Sequence, residues 1–303
     1  MPVIETNGIQ LAYDVQGNPE GEAVVLISGL GLQLISWSEQ FCQTLVKQGF
    51  RVVRFDNRDS GLSSRMNHFG KTHPHLAMFK PLFRMPMFST YTLYDMARDT
   101  IGLMNALDIR QAHIVGASMG GMIAQIIAAR YPERTLTMTS IMSTSGRPGL
   151  PGPTLEASTA MLSTPSNPRD FESVVDYYIR LFQVLGGSAY PTPEAVLRRR
   201  IMQSVRRNPS ISGTSRQMMA VASTGDLVAQ LRTIRSPALI IHGTEDPLVP
   251  VACGRDSARW IPHALLHEIE GMGHDIPPQL EVSIANLIAA HCRRELITAA
   301  SGA

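Results

Sequence analysis

Short, mostly apolar runs alternate with stretches of helical periodicity along most of the chain. Ala23–Ile27, Phe50–Phe55, Ala112–Val115, Thr135–Met142, Ala238–His242 and Ala264–Ile269 predict strands. Runs such as Ala23–Ile27 lack the alternating polarity of a half-exposed sheet, which is the signature of parallel strands covered on both faces. Between them, Trp37–Gln48, Thr92–Leu107, Met119–Arg130, Cys253–Trp260 and Pro278–His291 predict helices. In Thr92–Leu107 the apolar stripe is Leu93, Met96, Ala97, Ile101, Met104 and Leu107. At the front, Val3–Thr6 and Ile9–Asp14 flank Asn7-Gly8, a hairpin signal. The tail after Ile297 reads as frayed, and no internal repeat is visible.

The alternation stops between residues 146 and 225, a stretch rich in Pro, Gly and Ser whose clearest helices are Phe171–Leu185 and Pro193–Arg207. It is too long for a plain loop. The predicted organisation is therefore an α/β core formed by residues 1–145 and 226–303, interrupted by an insertion at 146–225.

Composition narrows the partners. The 303 residues hold 27 Lys+Arg and 25 Asp+Glu, a net charge of +2, with 44% hydrophobic residues and a mean hydropathy of +0.01. That apolar content excludes disorder, and near-neutral charge supplies no field for nucleic acid. No uncharged apolar run reaches the roughly 18 residues of a membrane span. The first basic residue is Lys47, and Glu20 and Glu22 precede the apolar stretch Ala23–Leu32, the reverse of a secretion signal. Cys42, Cys253 and Cys292 are odd in number and form no C-x-x-C pair, so they read as buried thiols in a reducing compartment. The expectation is a cytoplasmic globular protein, monomer or homodimer, with no membrane or nucleic-acid partner.

Chemistry enters at Gly116-Ala117-Ser118-Met119-Gly120, a G-x-S-x-G pentapeptide with an apolar strand before it and a helix after it. So sharp a turn holds the serine in a strained conformation above a helix N-terminus, where free N–H groups favour developing negative charge. A serine hydroxyl needs a base, and the base an orienting acid. Of the nine histidines, His274 follows a strand on the Glu270–Gly273 loop, ahead of the last helix. His113, His242, His263 and His267 lie in or beside strands and read as structural. The segment after Thr135–Met142 holds no carboxylate until Glu156, whereas the loop after Ala238–His242 offers Asp246, with Glu245 as the alternative. The order Ser118, Asp246, His274 is that of an α/β-hydrolase. An oxyanion hole would take one N–H from Met119 and one from the Ser28–Gly31 loop, with Leu30 the expected donor.

Taken together, Ser28–Gly31 with Trp37, Arg54–Ser63, the Gly116–Gly120 elbow, Gly243–Pro247 and Gly271–His274 resemble the α/β-hydrolase superfamily over nearly the whole chain outside the insertion. Within it the chain looks most similar to carboxylesterases of the aclacinomycin methylesterase type. That resemblance implies a mostly parallel sheet flanked by helices and a helical cap at 146–225. It also implies Ser118, Asp246 and His274 as the triad, Leu30 and Met119 as oxyanion donors, and no cofactor or metal. One departure is visible, since the oxyanion loop begins Ser28-Gly29 where many relatives have His-Gly. Haloalkane dehalogenases and epoxide hydrolases place an aspartate where this chain has Ser118.

The expected activity is hydrolysis of carboxylic esters of small, largely apolar molecules. Carbon–carbon bond hydrolysis or perhydrolysis by the same triad, and a non-catalytic small-molecule binder, are the alternatives. The arginines Arg198–Arg200 and Arg206-Arg207 read as a solvated face. His68, His73 and His75 cluster without the spacing of a zinc site and read as loop residues. Met66, Met78, Met85 and Met87 with Phe79, Phe83 and Phe88 make that loop apolar, either packing beneath the insertion or lining a pocket.

Overall fold

The apolar runs become the strands of one eight-stranded sheet in the computed structural model, which describes residues 1–67 and 89–295. The strands are β1 (Val3–Thr6), β2 (Ile9–Gly17), β3 (Ala23–Ile27), β4 (Arg51–Phe55), β5 (Ala112–Ala117), β6 (Thr135–Ile141), β7 (Ala238–Gly243) and β8 (Leu265–Ile269). Their order is β1-β2-β4-β3-β5-β6-β7-β8. The β1–β2 and β2–β4 pairings are antiparallel, and every pairing from β4 to β8 is parallel. Asn7 and Gly8, both at positive φ, close the hairpin.

The helices are α1 (Glu39–Lys47), α2 (Leu93–Ala106), α3 (Met119–Arg130), α4 (Leu155–Leu162), α5 (Phe171–Leu185), α6 (Glu194–Arg207), α7 (Ile211–Thr224), α8 (Val228–Leu231), α9 (Val251–Trp260) and α10 (Glu281–Cys292). The helix starts follow local chemistry. Ser38 accepts from the Phe41 N–H at α1, Asp170 from Ser173 at α5, and Thr92 with Asp95 forms a capping box at α2.

Alternate residues of β3 point to opposite faces, which is why the run needs no polar positions. Val25 and Ile27 join the core shared with α2 and α3, while Val24 and Leu26 join the core under α1 and α10. The three cysteines are buried and free. His68, His73, His75, the Met78–Phe88 part of the apolar loop and the tail after Ile297 lie outside the described residues, whereas Met66 is buried.

Between β6 and β7 the chain runs through α4 to α8, of which α4, α7 and α8 carry no periodicity strong enough to read from the sequence alone. This helical segment is fastened to the core, at the loop after β4 and the start of α10, by ion pairs with buried carboxylates. The Arg216 guanidinium of α7 donates through Nε and Nη2 to both carboxylate oxygens of Asp59, at 2.9 and 2.6 Å, and both side chains are almost completely buried. Arg207 of α6 pairs with the fully buried Asp56 at 2.7 Å, and Arg200 with Glu281 of α10 at 2.7 Å. Arg198 pairs with Glu172 and Asp176 of α5. The reading of this arginine run as a solvated face therefore holds for Arg199 and Arg206, which are exposed, and is corrected for Arg198, Arg200 and Arg207, which reach acidic partners on the core and on α5.

A buried ion pair contributes little net stability when intact, but removing one partner strands the other charge, at a cost of about 3–5 kcal/mol. Asp59→Ala should therefore lower the unfolding free energy in urea by about 3–5 kcal/mol. Arg255→Ala, which breaks the exposed Arg255–Glu268 pair, should change it by less than about 1 kcal/mol.

Candidate active site

Parallel strands put their carboxyl ends on one edge of the sheet, and the loops that leave β3, β5, β7 and β8 meet there. Ser118 sits between β5 and α3 at φ 54°, ψ −118°, outside the regions that non-glycine residues ordinarily adopt. Its N–H donates to the Ile141 carbonyl at 2.9 Å, and its own carbonyl accepts from Ser143 Oγ at 2.7 Å. The flanking glycines are sterically required. A Cβ on Gly116 would lie 2.0 Å from the Gly120 carbonyl oxygen, and one on Gly120 would lie 2.1 Å from that of Ile27.

The structure brings the three sequence-selected side chains into one chain of contacts. His274 Nε2 is 2.9 Å from Ser118 Oγ, and His274 Nδ1 is 2.7 Å from Asp246 Oδ2. Because carboxylate oxygens only accept, Nδ1 carries the hydrogen and Nε2 is left to accept from the serine hydroxyl. Asp246 Oδ1 accepts from the backbone N–H groups of Leu248 and Val249, at 2.9 and 2.8 Å. The carboxylate thus tightens its own turn and holds His274 as well. Burial pushes its pKa up, but hydrogen bonds from His242, His274 and the Val249 N–H outweigh this and bring it down to about 2.

Glu245, the alternative acid, is exposed and turned away, accepting from the Ser188 N–H and hydroxyl at 2.7 and 2.8 Å. His113 lies at the amino end of β5 against Thr137 and Glu22, far along the strand from the elbow. His263 and His267 belong to the turn and strand at the sheet edge. His242, read from the sequence as structural, is closer to the chemistry than expected. Its Nε2 lies 2.7 Å from the Val249 carbonyl and 3.3 Å from Asp246 Oδ2. The carbonyl is a pure acceptor, so Nε2 bears the hydrogen that also faces the carboxylate. The signal available was spacing: His242 and Asp246 bracket the tight turn leaving β7.

The Leu30 and Met119 N–H groups make no intramolecular hydrogen bond among the described residues. Met119 opens α3, so its N–H lies at the positive end of the helix. The Ser28–Gly31 loop comes close on the other side, since a Cβ placed on Gly29 would lie 3.4 Å from Ser118 Cβ. Ser28 itself is buried and turned to the Gln33 carbonyl.

The helical segment reaches this edge as well. The His274 N–H donates to the Leu185 carbonyl at the end of α5 at 2.7 Å, and the Ala189 N–H to the Gly271 carbonyl at 3.2 Å. No described helix is long and apolar enough to cross a membrane.

Residues 22–279 match the alpha/beta hydrolase fold family. The chain is similar to rhodomycin D methylesterase of Streptomyces peucetius, with 27% identity covering 96% of this chain and 97% of that one. Its likeness to rhodomycin D methylesterase of Streptomyces sp. (strain C5) is 28%, covering 91% and 93%. Among solved structures, the enol-lactonase from Burkholderia xenovorans LB400 superposes with a TM-score of 0.73 at 24% identity, covering 96% of this chain and all of that one. At that identity the superposition speaks for the fold alone.

The depressed pKa of Asp246 sets a pH dependence. The folded carboxylate stays ionised where the unfolded one takes up a proton, so its contribution is present above about pH 4 and is lost as pH falls towards about 2. It amounts to about 2 kcal/mol. Urea unfolding at a series of pH values should show this decline in the wild type and a flatter one in Asp246→Asn.

Proposed function

Because the chain belongs to the α/β-hydrolase family, we propose that it is a carboxylesterase-type enzyme that cleaves ester bonds through a serine acyl-enzyme. The observation that carries this reading is the unbroken line of contacts from Asp246 through His274 to the strained Ser118. His274 Nε2 takes the Ser118 proton as Oγ attacks the ester carbonyl. Asp246 holds the imidazole in the tautomer this requires and stabilises the cation that forms. The free N–H groups of Leu30 and Met119 receive the tetrahedral oxyanion, each worth about 3–4 kcal/mol of transition-state stabilisation.

Collapse of the intermediate expels the alcohol, which takes the proton back from His274. Water, deprotonated by His274, then attacks the acyl-Ser118 carbonyl, and the acid leaves as Ser118 Oγ takes that proton back from His274. Side chains, backbone N–H groups and water supply every step. The relatives named as methylesterases support an ester as substrate, with a small alcohol as the leaving group. A net charge of +2 suits a small, largely apolar ester better than a polyanion. Residues 146–225 act in this reading as a cap over the carboxyl edge of the sheet, supported by the main-chain bonds that join the end of α5 to the His274 loop.

Ser118→Ala should reduce hydrolysis of p-nitrophenyl acetate and butyrate by at least about 10³-fold. The wild-type protein should be labelled at Ser118 by a fluorophosphonate. Wild-type turnover in the alanine variant would refute the mechanism, and ligand binding without labelling would mark the protein as a binder.

A further inference from the structure

We propose that Gln217, on α7 of the helical segment, is a positioning residue for the oxyanion loop, anchoring the Gly29–Leu32 turn that carries the Leu30 N–H. The Leu32 N–H donates to the Gly29 carbonyl at 3.2 Å and Gly31 has φ +68°, the marks of a type II turn with Gly31 at its third position. Type I and type II turns differ by a flip of the middle peptide, which here joins Leu30 to Gly31. The N–H of that peptide donates to Gln217 Oε1 at 2.8 Å. A flip would turn the Leu30 carbonyl toward Oε1, and two acceptors would face each other.

The amide of Gln217 cannot rotate to relieve this. Its Nε2 donates to the Arg58 carbonyl at 2.8 Å and to Ser60 Oγ at 3.1 Å, and the residue is fully buried. The Arg58 carbonyl accepts only, so Oε1 is the atom left for Gly31. Arg216, one residue earlier, is locked onto Asp59 of the same core loop, so α7 delivers the amide as part of a rigid joint. Thr214, one turn back, closes the other side: a Cβ on Gly31 would lie 2.7 Å from Thr214 Oγ1. On the far flank of the same turn, a Cβ on Gly29 would lie 3.4 Å from Ser118 Cβ. Two side chains of α7 therefore shape a loop that belongs to the core.

This inference rests on the serine mechanism proposed above, and its test separates the two. Gln217→Met keeps the bulk and removes both hydrogen-bonding functions. With p-nitrophenyl butyrate, and with active sites counted by fluorophosphonate titration, kcat should fall about tenfold or more while KM stays within about twofold. A trifluoromethyl ketone, which forms a tetrahedral adduct with the serine and places an oxyanion in the hole, should bind more weakly by a similar factor. A folded Gln217→Met protein with wild-type kcat and ketone affinity per titrated site overturns the role of Gln217. Should that variant fail to fold, Gly31→Ala strains the same turn from the core side, and the same split of kcat from KM is expected. An unchanged kcat in Gly31→Ala also overturns the proposal. A wild-type protein that the fluorophosphonate does not label overturns the serine mechanism and this inference with it.

Discussion

Parallel pairing from β4 to β8 is the constraint on which the rest of the molecule depends. Parallel strands cannot be joined by tight hairpins, so each connection carries a crossover and every carboxyl end emerges on the same side. That places the loops after β3, β5, β7 and β8 along one edge. The β3–β5 register, with Ile27 opposite Gly116, sets the Ser28–Gly31 loop level with the elbow. The β7–β8 register, with Gly243 opposite Ile269, does the same for the loops of Asp246 and His274. The alignment of Ser118, Asp246 and His274 from distant parts of the chain is a consequence of strand pairing before any side-chain contact is made.

The second layer of order comes from the helical segment. Asp56, Asp59 and Glu281 are carboxylates buried at its junction with the core, and each meets an arginine from α6 or α7. Such pairs are poor sources of net stability but heavily penalise any docking that separates them. Gln217 and the Arg58–Ser60 loop add hydrogen bonds that only one arrangement satisfies. The junction is thus defined by the cost of its alternatives, and it fixes α7 against the core loop that carries Asp59.

Most of the core was legible because its signals are local. Ala23–Ile27, Ala238–His242 and Met119–Arg130 declare themselves by apolar run or period, and the elbow by small residues on either side of Ser118. His274 and Asp246 followed from the order of loops along the chain. What escaped the reading depends on partners far away in sequence. Arg207 and Arg216 look like solvent-facing residues until Asp56 and Asp59, about 150 positions earlier, are placed beside them. Gln217 carries no local mark of its bond to Gly31, 186 residues away. His242 reads in the sequence as a structural strand residue, although the turn after β7 folds Asp246 back onto it. The helix α7 turns Arg216 and Gln217 into the core beside Met219 and Ala220, so its buried face is partly polar and carries no clean apolar period.

The hydrogen bond from the His274 N–H to the Leu185 carbonyl is made by main chain on both sides. Such a bond is indifferent to which side chain stands at either position but sensitive to how many residues separate α5 from the loop it meets. Substitution at either position can therefore change the side chains there while His274 stays aligned. An insertion or deletion at the α5 terminus would shift the acceptor along the chain and draw His274 with it. In this architecture the placement of His274 depends on chain length around residue 185 more than on which side chains stand there.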